Sequence, residues 1–225
     1  MFPPNGQGQS PQLCAVTLLG NLVAKPDIRY RANPVIAITE ITLATSSKWL
    51  DKRTNQYKEW TNYHHIKVEG ELVEQALLHA DKGDVVLVQG YLNNIKPNNV
   101  TSVNHPGVVQ ANFIQKFTKG YTDSVNQIIC SAKLLCKPQL ITTQNNKQLA
   151  QVNITINQQV YATNRQSWQI ILVERELHIW GKQAKILVEK AIVGDNIMVE
   201  GRLNYLTSGP KTQFIDGKKI HFLRV

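Results

Sequence analysis

The fold is decided around residues 44–70, which read ATSSKWLDKRTNQYKEWTNYHHIKVEG. The two ends of this stretch carry β-branched and aromatic residues typical of strands, and its middle is polar and charged. The stretch therefore predicts two β-strands joined by a polar hairpin.

Alternation divides the second of these strands into an inner and an outer face, because successive strand side chains point to opposite sides. Ile66 and Val68 are apolar and are expected to enter a core, so His64 points inward with them. The outward residues are then a ring, an imidazole and a cation: Tyr63, His65 and Lys67.

The same stretch interleaves aromatic rings with cations. The rings are Trp49, Trp60 and Tyr63, and the cations are Lys48, Lys52, Arg53, Lys58 and Lys67. Surfaces of this kind bind single-stranded nucleic acids, since the cations attract phosphates and the rings stack on unpaired bases. The alternative is that the rings are ordinary sheet residues beside a solvated hairpin, and this stretch alone leaves both interpretations open.

The whole chain is basic and contains no apolar run that approaches the roughly 20 residues of a membrane span. Its 225 residues carry a formal charge of +9 with a pI near 9.5, which favours a polyanionic partner. Residues 1–120 contribute 12 basic minus 9 acidic residues, or +3, and residues 121–225 contribute 13 minus 7, or +6. The N-terminus has no basic region followed by an apolar stretch, so we expect a cytoplasmic protein with no membrane partner.

The first half predicts five strands with a helix between the third and the fourth. Apolar residues at helical spacing define the helix, which is expected to end before the turn at residues 82–84. The predicted elements are strands at 16–23, 35–45 and 63–68, a helix at 71–80, and strands at 85–90 and 108–114. A bulge or bend is predicted at Gly20. This order is the plan of an OB-fold barrel, whose sheet face and long loops bind oligonucleotides.

The second half repeats this plan at a nearly constant offset. Three motifs recur 111 residues later: Gly70 as Gly181, Gly83-Asp84 as Gly194-Asp195, and Gly90 as Gly201. Two others recur at offsets of 112 and 113: Leu22 as Leu134, and Ile41-Thr42 as Ile154-Thr155. We therefore predict an all-β protein of two tandem OB-fold five-stranded barrels, with one short helix in each.

The domain boundaries follow from the repeat and from the composition. Residues 1–12 contain three Pro, two Gly, three Gln and no charge, and are predicted to be disordered. Residues 13–114 form the first OB domain, 115–125 a linker, and 126–225 the second OB domain, a diverged repeat. Three cysteines lie in apolar strand-like runs and are predicted to be buried thiols: Cys14, Cys130 and Cys136.

The first half resembles the bacterial single-stranded DNA-binding protein family. The resemblance is carried by VTLLGNL (16–22), PDIRY (26–30), ITLATSSKW (41–49), DK (51–52), TNYHH (61–65), KGD (82–84) and VQG (88–90). It spans residues 13–92, and the second half looks like a diverged copy. The resemblance implies an OB fold, sequence-tolerant binding of single-stranded DNA, no catalysis and no cofactor. It also implies four OB folds per working assembly, so a chain with two is expected to form a homodimer.

The resemblance also implies roles for individual residues. Trp49 falls on a stacking tryptophan of the family, and Tyr63 falls on a second stacking position that is usually Trp. His64 matches a histidine associated with subunit contact, which agrees with its inward direction. Glu69 stands where the family has an aromatic stacker, so its carboxylate is expected to weaken the binding face.

The second domain and the end of the chain depart from the family pattern in other ways. Trp180 falls on the position that Glu69 occupies in the first domain, and Trp49 has approximate counterparts in Tyr161 or Trp168. The two domains are therefore expected to share binding unequally. Family members commonly end in an acidic tip that recruits protein partners, whereas this sequence ends in KKIHFLRV (218–225), so recruitment of that kind is not expected.

The candidate nucleic-acid-binding residues are rings and cations of both domains. They are Arg29, Arg31, Lys48, Trp49, Lys52, Arg53, Trp60, Tyr63, His65, Lys67, Tyr161, Arg165, Trp168, His178, Trp180 and Lys182. The six histidines show no metal-ligand spacing. The sequence has no phosphate-binding loop, nucleophile elbow or paired carboxylates, so we expect neither a metal site nor enzyme activity.

The sequence thus predicts a protein that binds and protects single-stranded DNA in replication, recombination or repair. Two alternatives remain open. One is an OB-fold protein-interaction adaptor of a primosome or a mobile element. The other is a single-stranded RNA binder, because stacking surfaces accept either sugar.

Overall fold

The computed structural model describes residues 11–94, 107–143, 146–162, 167–206 and 212–223. The elements of the first half are β1 (Cys14–Leu22), β2 (Arg29–Arg31), β3 (Ile36–Asp51), β4 (Gln56–Glu69), α1 (Glu71–Ala76), β5 (Asp84–Asn94) and β6 (Gly107–Lys119). Those of the second half are β7 (Val125–Leu134), β8 (Gln139–Thr142), β9 (Gln148–Ala162), β10 (Ser167–Trp180), α2 (Lys182–Lys190), β11 (Asn196–Tyr205) and β12 (Gln213–Phe222).

Each half closes into a five-stranded barrel, which confirms the predicted fold. The first barrel follows the circuit β1, β3, β4, β6, β5 and back to β1. The second follows the same circuit through β7, β9, β10, β12 and β11. In both barrels the helix follows the third principal strand and one strand pair is parallel. The short strands β2 and β8 extend β3 and β9 at the sheet edge and are absent from the prediction.

Alternating apolar residues place the core of each barrel. In β1, Val16, Leu18 and Leu22 are buried. Gly20 lies on the same face, where an added Cβ would stand 2.1 Å from the Ala44 carbonyl oxygen. Only glycine lets β1 approach β3 this closely. Because the pairing of β1 with β5 is regular through this position, Gly20 serves the close approach and not a bulge.

Several element boundaries differ from the prediction. β3 continues to Asp51, beyond its predicted end at 45, and β4 begins at Gln56, before its predicted start at 63. The polar hairpin is therefore a two-stranded ribbon, and the 2.5 Å ion pair of Lys58 with Asp51 helps to hold its strands together. Helix α1 ends at Ala76, although Leu77 and Ala80 remain buried beyond it. β6 continues to residue 119 and β7 begins at 125, so the segment predicted as a linker, 115–125, is strand at both ends.

Residues 1–10 of the segment predicted to be disordered lie outside the described residues. Gln12 is described, and it pairs twice with Asn157 on β9. The Gln12 N–H donates to the Asn157 carbonyl (2.8 Å), and the Asn157 N–H donates to Gln12 Oε1 (2.7 Å). The prediction of disorder is wrong for Gln12, because a single glutamine satisfies two backbone groups of a strand.

Strand β1 pairs with β7 and joins the two barrels into one sheet. The pairing is antiparallel and places Val16 opposite Ile128. These two residues are counterparts in the repeat, at the offset of 112 set by Leu22 and Leu134. A strand pair in which a residue faces its own counterpart has a two-fold axis through that pair. The two barrels are therefore related by a pseudo-two-fold axis.

The same register corrects part of the predicted repeat. Leu22 pairs with Leu43 in the first barrel, and Leu134 pairs with Ile154 in the second. These pairs set an offset of 111 for β3 and β9. The predicted offset of 113 for this strand is wrong, because it followed a local Ile-Thr match and not the strand pairing.

A chain of buried polar side chains crosses the boundary between the barrels. His64 is fully buried on β4, with Nε2 2.8 Å from Thr45 Oγ1 and Nδ1 3.2 Å from the Tyr205 hydroxyl on β11. Gln213 Nε2 also donates to that hydroxyl, at 3.2 Å. The hydroxyl can then donate to His64 Nδ1, which assigns the proton of the neutral imidazole to Nε2. The position predicted for subunit contact therefore lies between two barrels of one chain.

Arg175 occupies the counterpart position of His64 in the second barrel and is 1% exposed. Burial lowers the pKa of the Arg175 guanidinium to about 10, so it stays charged at neutral pH. Its hydrogen bonds to the described residues go to uncharged acceptors: Gln213 Oε1 (3.1 Å), Asn94 Oδ1 (3.0 Å), the Glu174 carbonyl (2.7 Å) and the Asn93 carbonyl (2.8 Å). A single buried cation thus links β10 to β5 and β12.

We expect the protein to lose stability as the pH falls below 6.5. Burial, and secondarily the charge of His65, lowers the pKa of His64 from 6.5 to about 3. Between pH 6.5 and about pH 3, His64 is protonated in the unfolded chain and neutral in the folded state. The free energy of unfolding therefore falls as the pH falls. At pH 5 the contribution of His64 to this loss is about 2 kcal/mol.

Urea unfolding at pH 7 and pH 5 measures this loss. The control is His64→Gln, which retains hydrogen-bonding groups but does not titrate, and its stability should vary less with pH. An identical pH dependence in the two proteins would show that His64 is not the responsible group.

The three cysteines have different surroundings. Cys130 is buried and Cys14, directly opposite it, is partly buried. Burial raises the pKa of the Cys14 thiol to about 11 and that of Cys130 well above its usual value. Cys136 is exposed. The prediction of a buried thiol is wrong there, because Cys136 lies beyond the end of β7 and outside its alternation.

Candidate nucleic-acid interface

All four tryptophans of the chain lie at the surface. Trp49, Trp60, Trp168 and Trp180 are 46%, 48%, 50% and 42% exposed. Tryptophan is highly buried on average in folded proteins. Because none of the four tryptophans is buried, their rings are expected to make contacts outside the fold.

Trp49 and Trp60 share a cleft between the β3–β4 ribbon and strands β11 and β12 of the second barrel. This junction cleft has a volume of about 330 Å³ and is lined by Ser47, Trp49, Trp60, Asn62, Arg202, Asn204 and Asp216. In the ribbon Ser47 stands opposite Trp60. Both lie on the face that buries Thr45 and His64 nearer the core, so alternation turns the rings towards the second barrel.

A chain of side-chain hydrogen bonds runs through the junction cleft from Trp60 to Trp180. Trp60 Nε1 donates to Asn62 Oδ1 (3.1 Å), and Asn62 Nδ2 donates to Asn204 Oδ1 (2.8 Å). Asn204 Nδ2 donates to Asp216 Oδ2 (3.3 Å), and Trp180 Nε1 donates to Asp216 Oδ1 (3.1 Å). The N–H edges of both indoles are thus engaged, and their exposed surface is left for stacking.

Arg202 supplies the cation of the junction cleft. Its Nη1 lies 3.4 Å from Ser47 Oγ, and its Nε is buried without a hydrogen-bond partner. It stands opposite Asp216 on β12, but both oxygens of that carboxylate accept from the groups named above. In the described part of the chain, no carboxylate forms a salt bridge with Arg202. Arg202 therefore has no direct ion pair among the described residues, although Asp216 lines the same cleft.

A second cleft continues from Arg202 towards residues 120–124. It has a volume of about 290 Å³ and is lined by Ser46, Ser47, Lys48, Tyr121, Asp123, Ser124 and Arg202. Lys48 Nζ lies 4.8 Å from the centroid of the Tyr121 ring. Hydrogen bonding with Tyr121, and then the charge of Glu59, raises the pKa of Lys48. Rings and cations therefore lie together along the two clefts, beside the carboxylates of Asp216 and Asp123.

The predicted alternation along β4 is confirmed, because its inward residues are buried and Tyr63 and His65 are exposed. Lys67 shares this outer face, where its Nζ lies 2.8 Å from Glu69 Oε1. The Glu69 carboxylate, which was expected to weaken the binding face, therefore also forms an ion pair with Lys67, the cation of that face. By parity these residues lie on the face of β4 opposite Trp60, so the first barrel has two separate surfaces that carry rings.

Strand β10 carries the reverse pattern on its outer face. At the offset of 111, Glu174 replaces Tyr63 and Trp180 replaces Glu69. Each barrel therefore has one ring and one carboxylate at these two positions, in opposite order. This supports the expectation that the barrels are not equivalent.

His178, a predicted binding residue, is only 6% exposed. Its ring packs on Phe214 of β12, with 4.2 Å between centroids and 32° between planes, and its Nε2 lies 2.5 Å from Glu176 Oε1. The prediction of an accessible side chain is wrong here, because the parallel neighbour β12 covers this part of β10.

Tyr161 and Trp168 form an aromatic pair near the end of the β9–β10 hairpin. They stand opposite each other, with ring centroids 5.5 Å apart and planes at 69°. The offset of 111 places Val160, and neither of these rings, at the position of Trp49. The predicted counterparts of Trp49 are therefore wrong, although both rings remain half exposed.

The remaining predicted cations do not line either cleft. Arg29 is exposed and pairs with Asp27 at 2.7 Å. The other described members of this group are also exposed: Arg31, Lys52, Arg53 and Lys182. Arg165 lies outside the described residues. Within the described ranges, no group of three or more His, Cys, Asp or Glu could hold a metal ion. Neither described helix is long and apolar enough to cross a membrane.

Sequence reasoning missed most of the residues that line the clefts, among them Tyr121, Arg202 and Asp216. Arg202 follows Gly201, the repeat of Gly90, but its counterpart is Tyr91, which gives no signal of binding. Only the packing of one barrel against the other brings Arg202 and Asp216 to the ribbon.

The fold and the clefts define a protein of two tandem OB barrels with rings and cations at their boundary. A family model described as "Single-strand binding protein family" matches residues 13–115 and 125–213. The chain belongs to the single-strand binding protein family.

Two solved structures share this fold along almost the whole chain. The wild-type single-stranded DNA binding protein from Thermus aquaticus is 22% identical, with a TM-score of 0.76, over 96% of this chain and 95% of that chain. A deletion mutant of the same protein has the same identity and TM-score over 96% of both chains.

Proposed function

We propose that this chain binds single-stranded DNA without regard to sequence and protects it in replication, recombination or repair. The observation that carries the proposal is the surface position of all four tryptophans, two of them in a cleft with Arg202. Membership of the family and the fold shared with a single-stranded DNA binding protein support the same function.

Binding would combine two kinds of contact. The exposed rings stack on unpaired bases, and stacking on single-strand-binding OB folds is known to contribute roughly 1–3 kcal/mol per base. Cations such as Arg202 and Lys48 neutralise phosphates. Neither contact reads base edges, so affinity should vary little with sequence and should fall as the salt concentration rises. The function requires no catalytic group.

Titration with oligo(dT) is expected to quench the tryptophan fluorescence, because every indole is exposed and available for stacking. The quenching should saturate at low salt and be reversed by added salt. A duplex of the same length is the control, since its bases are already stacked, and it should quench less. Absence of quenching at low salt would contradict the proposal, and equal competition by poly(U) and poly(dT) would extend it to RNA.

We also propose a homodimer of four barrels that acts in the cytoplasm. In its support, one chain already arranges two barrels about a pseudo-two-fold axis, so two chains would supply four. Sedimentation of the free protein tests this proposal against the chain mass of 25.4 kDa.

A further inference from the structure

We propose that one nucleic-acid strand passes from the first barrel to the second at only one of the two barrel boundaries. The passage is the junction cleft, where Arg202 holds a phosphate between bases stacked on Trp60 and Trp180. This inference rests on the proposed function and adds to it a path and a phosphate site.

The pseudo-two-fold axis creates two boundaries of the same construction. At the first, β4 contacts β11 through the bonds of Asn62 with Asn204 and of His64 with Tyr205. At the second, β10 contacts β5 through Arg175. The offset is 111 for these strands. For β6 and β12 it is 106, because Gly90 faces residue 111 and Gly201 faces residue 217.

The second boundary lacks the rings and the cation of the first. At these offsets Val160 and Ile171 stand in place of Trp49 and Trp60, and Tyr91 and Gln110 stand in place of Arg202 and Asp216. Among the described residues, a strand that passed here would meet no counterpart of Trp49, Trp60 or Arg202.

The second boundary is also closed by buried side chains. Gln158, the counterpart of Ser47, is 4% exposed and donates to the Leu92 carbonyl. Arg175 fills the space behind it with four hydrogen bonds to neutral acceptors. The pseudo-symmetry is therefore broken where it matters for binding: one boundary is packed, and the other holds an open cleft.

Arg202 has the position and the free hydrogen-bonding capacity that a phosphate site needs. It lines both clefts, so it lies between the tryptophans on one side and Lys48 and Tyr121 on the other. A buried N–H without an acceptor is rare in native proteins, and Arg202 Nε is such a group. Asp216 is the only carboxylate among the described residues that line the junction cleft, and two N–H donors already stabilise its charge.

The phosphate site is tested with Arg202→Gln and a fluorescein-labelled oligo(dT) long enough to span both barrels. Loss of a charged hydrogen bond should lower the affinity at low salt about tenfold. The slope of log K against log salt should become shallower by about 0.7, the value for one phosphate contact on a single strand. Arg202→Lys should retain the slope. Lys185→Gln, which removes an exposed charge on α2, should leave both quantities unchanged.

The path is tested by photo-cross-linking the wild-type protein to oligo(dT) that carries one central iodouracil, in a series of neighbouring positions. Tryptic peptides 59–67 and 176–182 should be labelled from nearby positions of the same oligomer, and fragmentation should place the labels on Trp60, not on Tyr63 of the opposite face, and on Trp180. Peptide 83–116, with Tyr91, should not be labelled. Equal labelling at Tyr91 would overturn the single passage.

The outcomes separate this inference from the proposed function. If the wild-type protein does not bind oligo(dT), the proposed function fails. If the wild type binds and Arg202→Gln keeps its affinity and salt slope, only the phosphate site fails. The urea midpoint of Arg202→Gln, measured in parallel, shows that the variant is folded when affinity is compared.

Discussion

Replacing Arg175 by alanine is expected to lower the free energy of unfolding by about 4 kcal/mol or more. The guanidinium is buried at the packed boundary and donates four hydrogen bonds, three of which join β10 to β5 and β12. Its removal leaves buried acceptors without donors, at about 1–3 kcal/mol each. It also leaves a cavity that the surrounding sheet can close only in part.

Urea unfolding followed by circular dichroism measures this effect, with Arg29→Ala as the matched control. The Arg29 guanidinium is exposed and pairs with an exposed carboxylate, so its loss should cost below about 1 kcal/mol. Arg175→Met retains apolar volume and removes the desolvation of a buried charge, so it should lose less stability than alanine. Equal unfolding midpoints for Arg175→Ala and Arg29→Ala would contradict the structural role.

The fold could be predicted where the sequence pattern is local. Alternation along β4 predicted which side chains are inward, and the recurring motifs of the second half predicted the order of its principal strands, but not the short strands β2 and β8. The ribbon could not be bounded in this way, because its residues are polar on both faces. They form strands because of cross-strand contacts such as the ion pair of Lys58 with Asp51. Such a contact depends on both segments, so neither segment predicts it alone.

The candidate site could be predicted only in part, because it forms between the barrels. Trp49 and Trp60 were identified from their own stretch, whereas Arg202 comes from a strand of the other barrel. Alternation along β10 places His178 on the outer face, but Phe214 of the neighbouring strand β12 covers its ring. Tyr161 lies one residue beyond Val160, the counterpart of Trp49, so alternation places its ring on the opposite face of the strand.

Alanine at Trp49 and alanine at Trp180 are each expected to weaken the binding of oligo(dT) by about 5- to 150-fold, the loss of roughly 1–3 kcal/mol for one stacked base. The rings lie in different barrels, and both are exposed. Anisotropy of a labelled oligomer measures the affinity, because the variants change the intrinsic fluorescence. Phe117→Ala is the control, since Phe117 is 42% exposed, as is Trp180, but it neither lines a cleft, as Trp49 does, nor bonds to a cleft residue, as Trp180 does.

The double variant decides whether the two barrels bind one strand. If the strand contacts both rings, the losses in binding free energy from the two single variants should add for a long oligomer, because the rings do not touch and each stacks on its own base. If Trp180→Ala has no effect while Trp49→Ala does, the second barrel does not contribute a stacking ring, and the reversed pattern on β10 marks a loss of binding there. Additive losses in binding free energy would instead mean that Trp180 supplies a stacking ring at the position where the first barrel has Glu69.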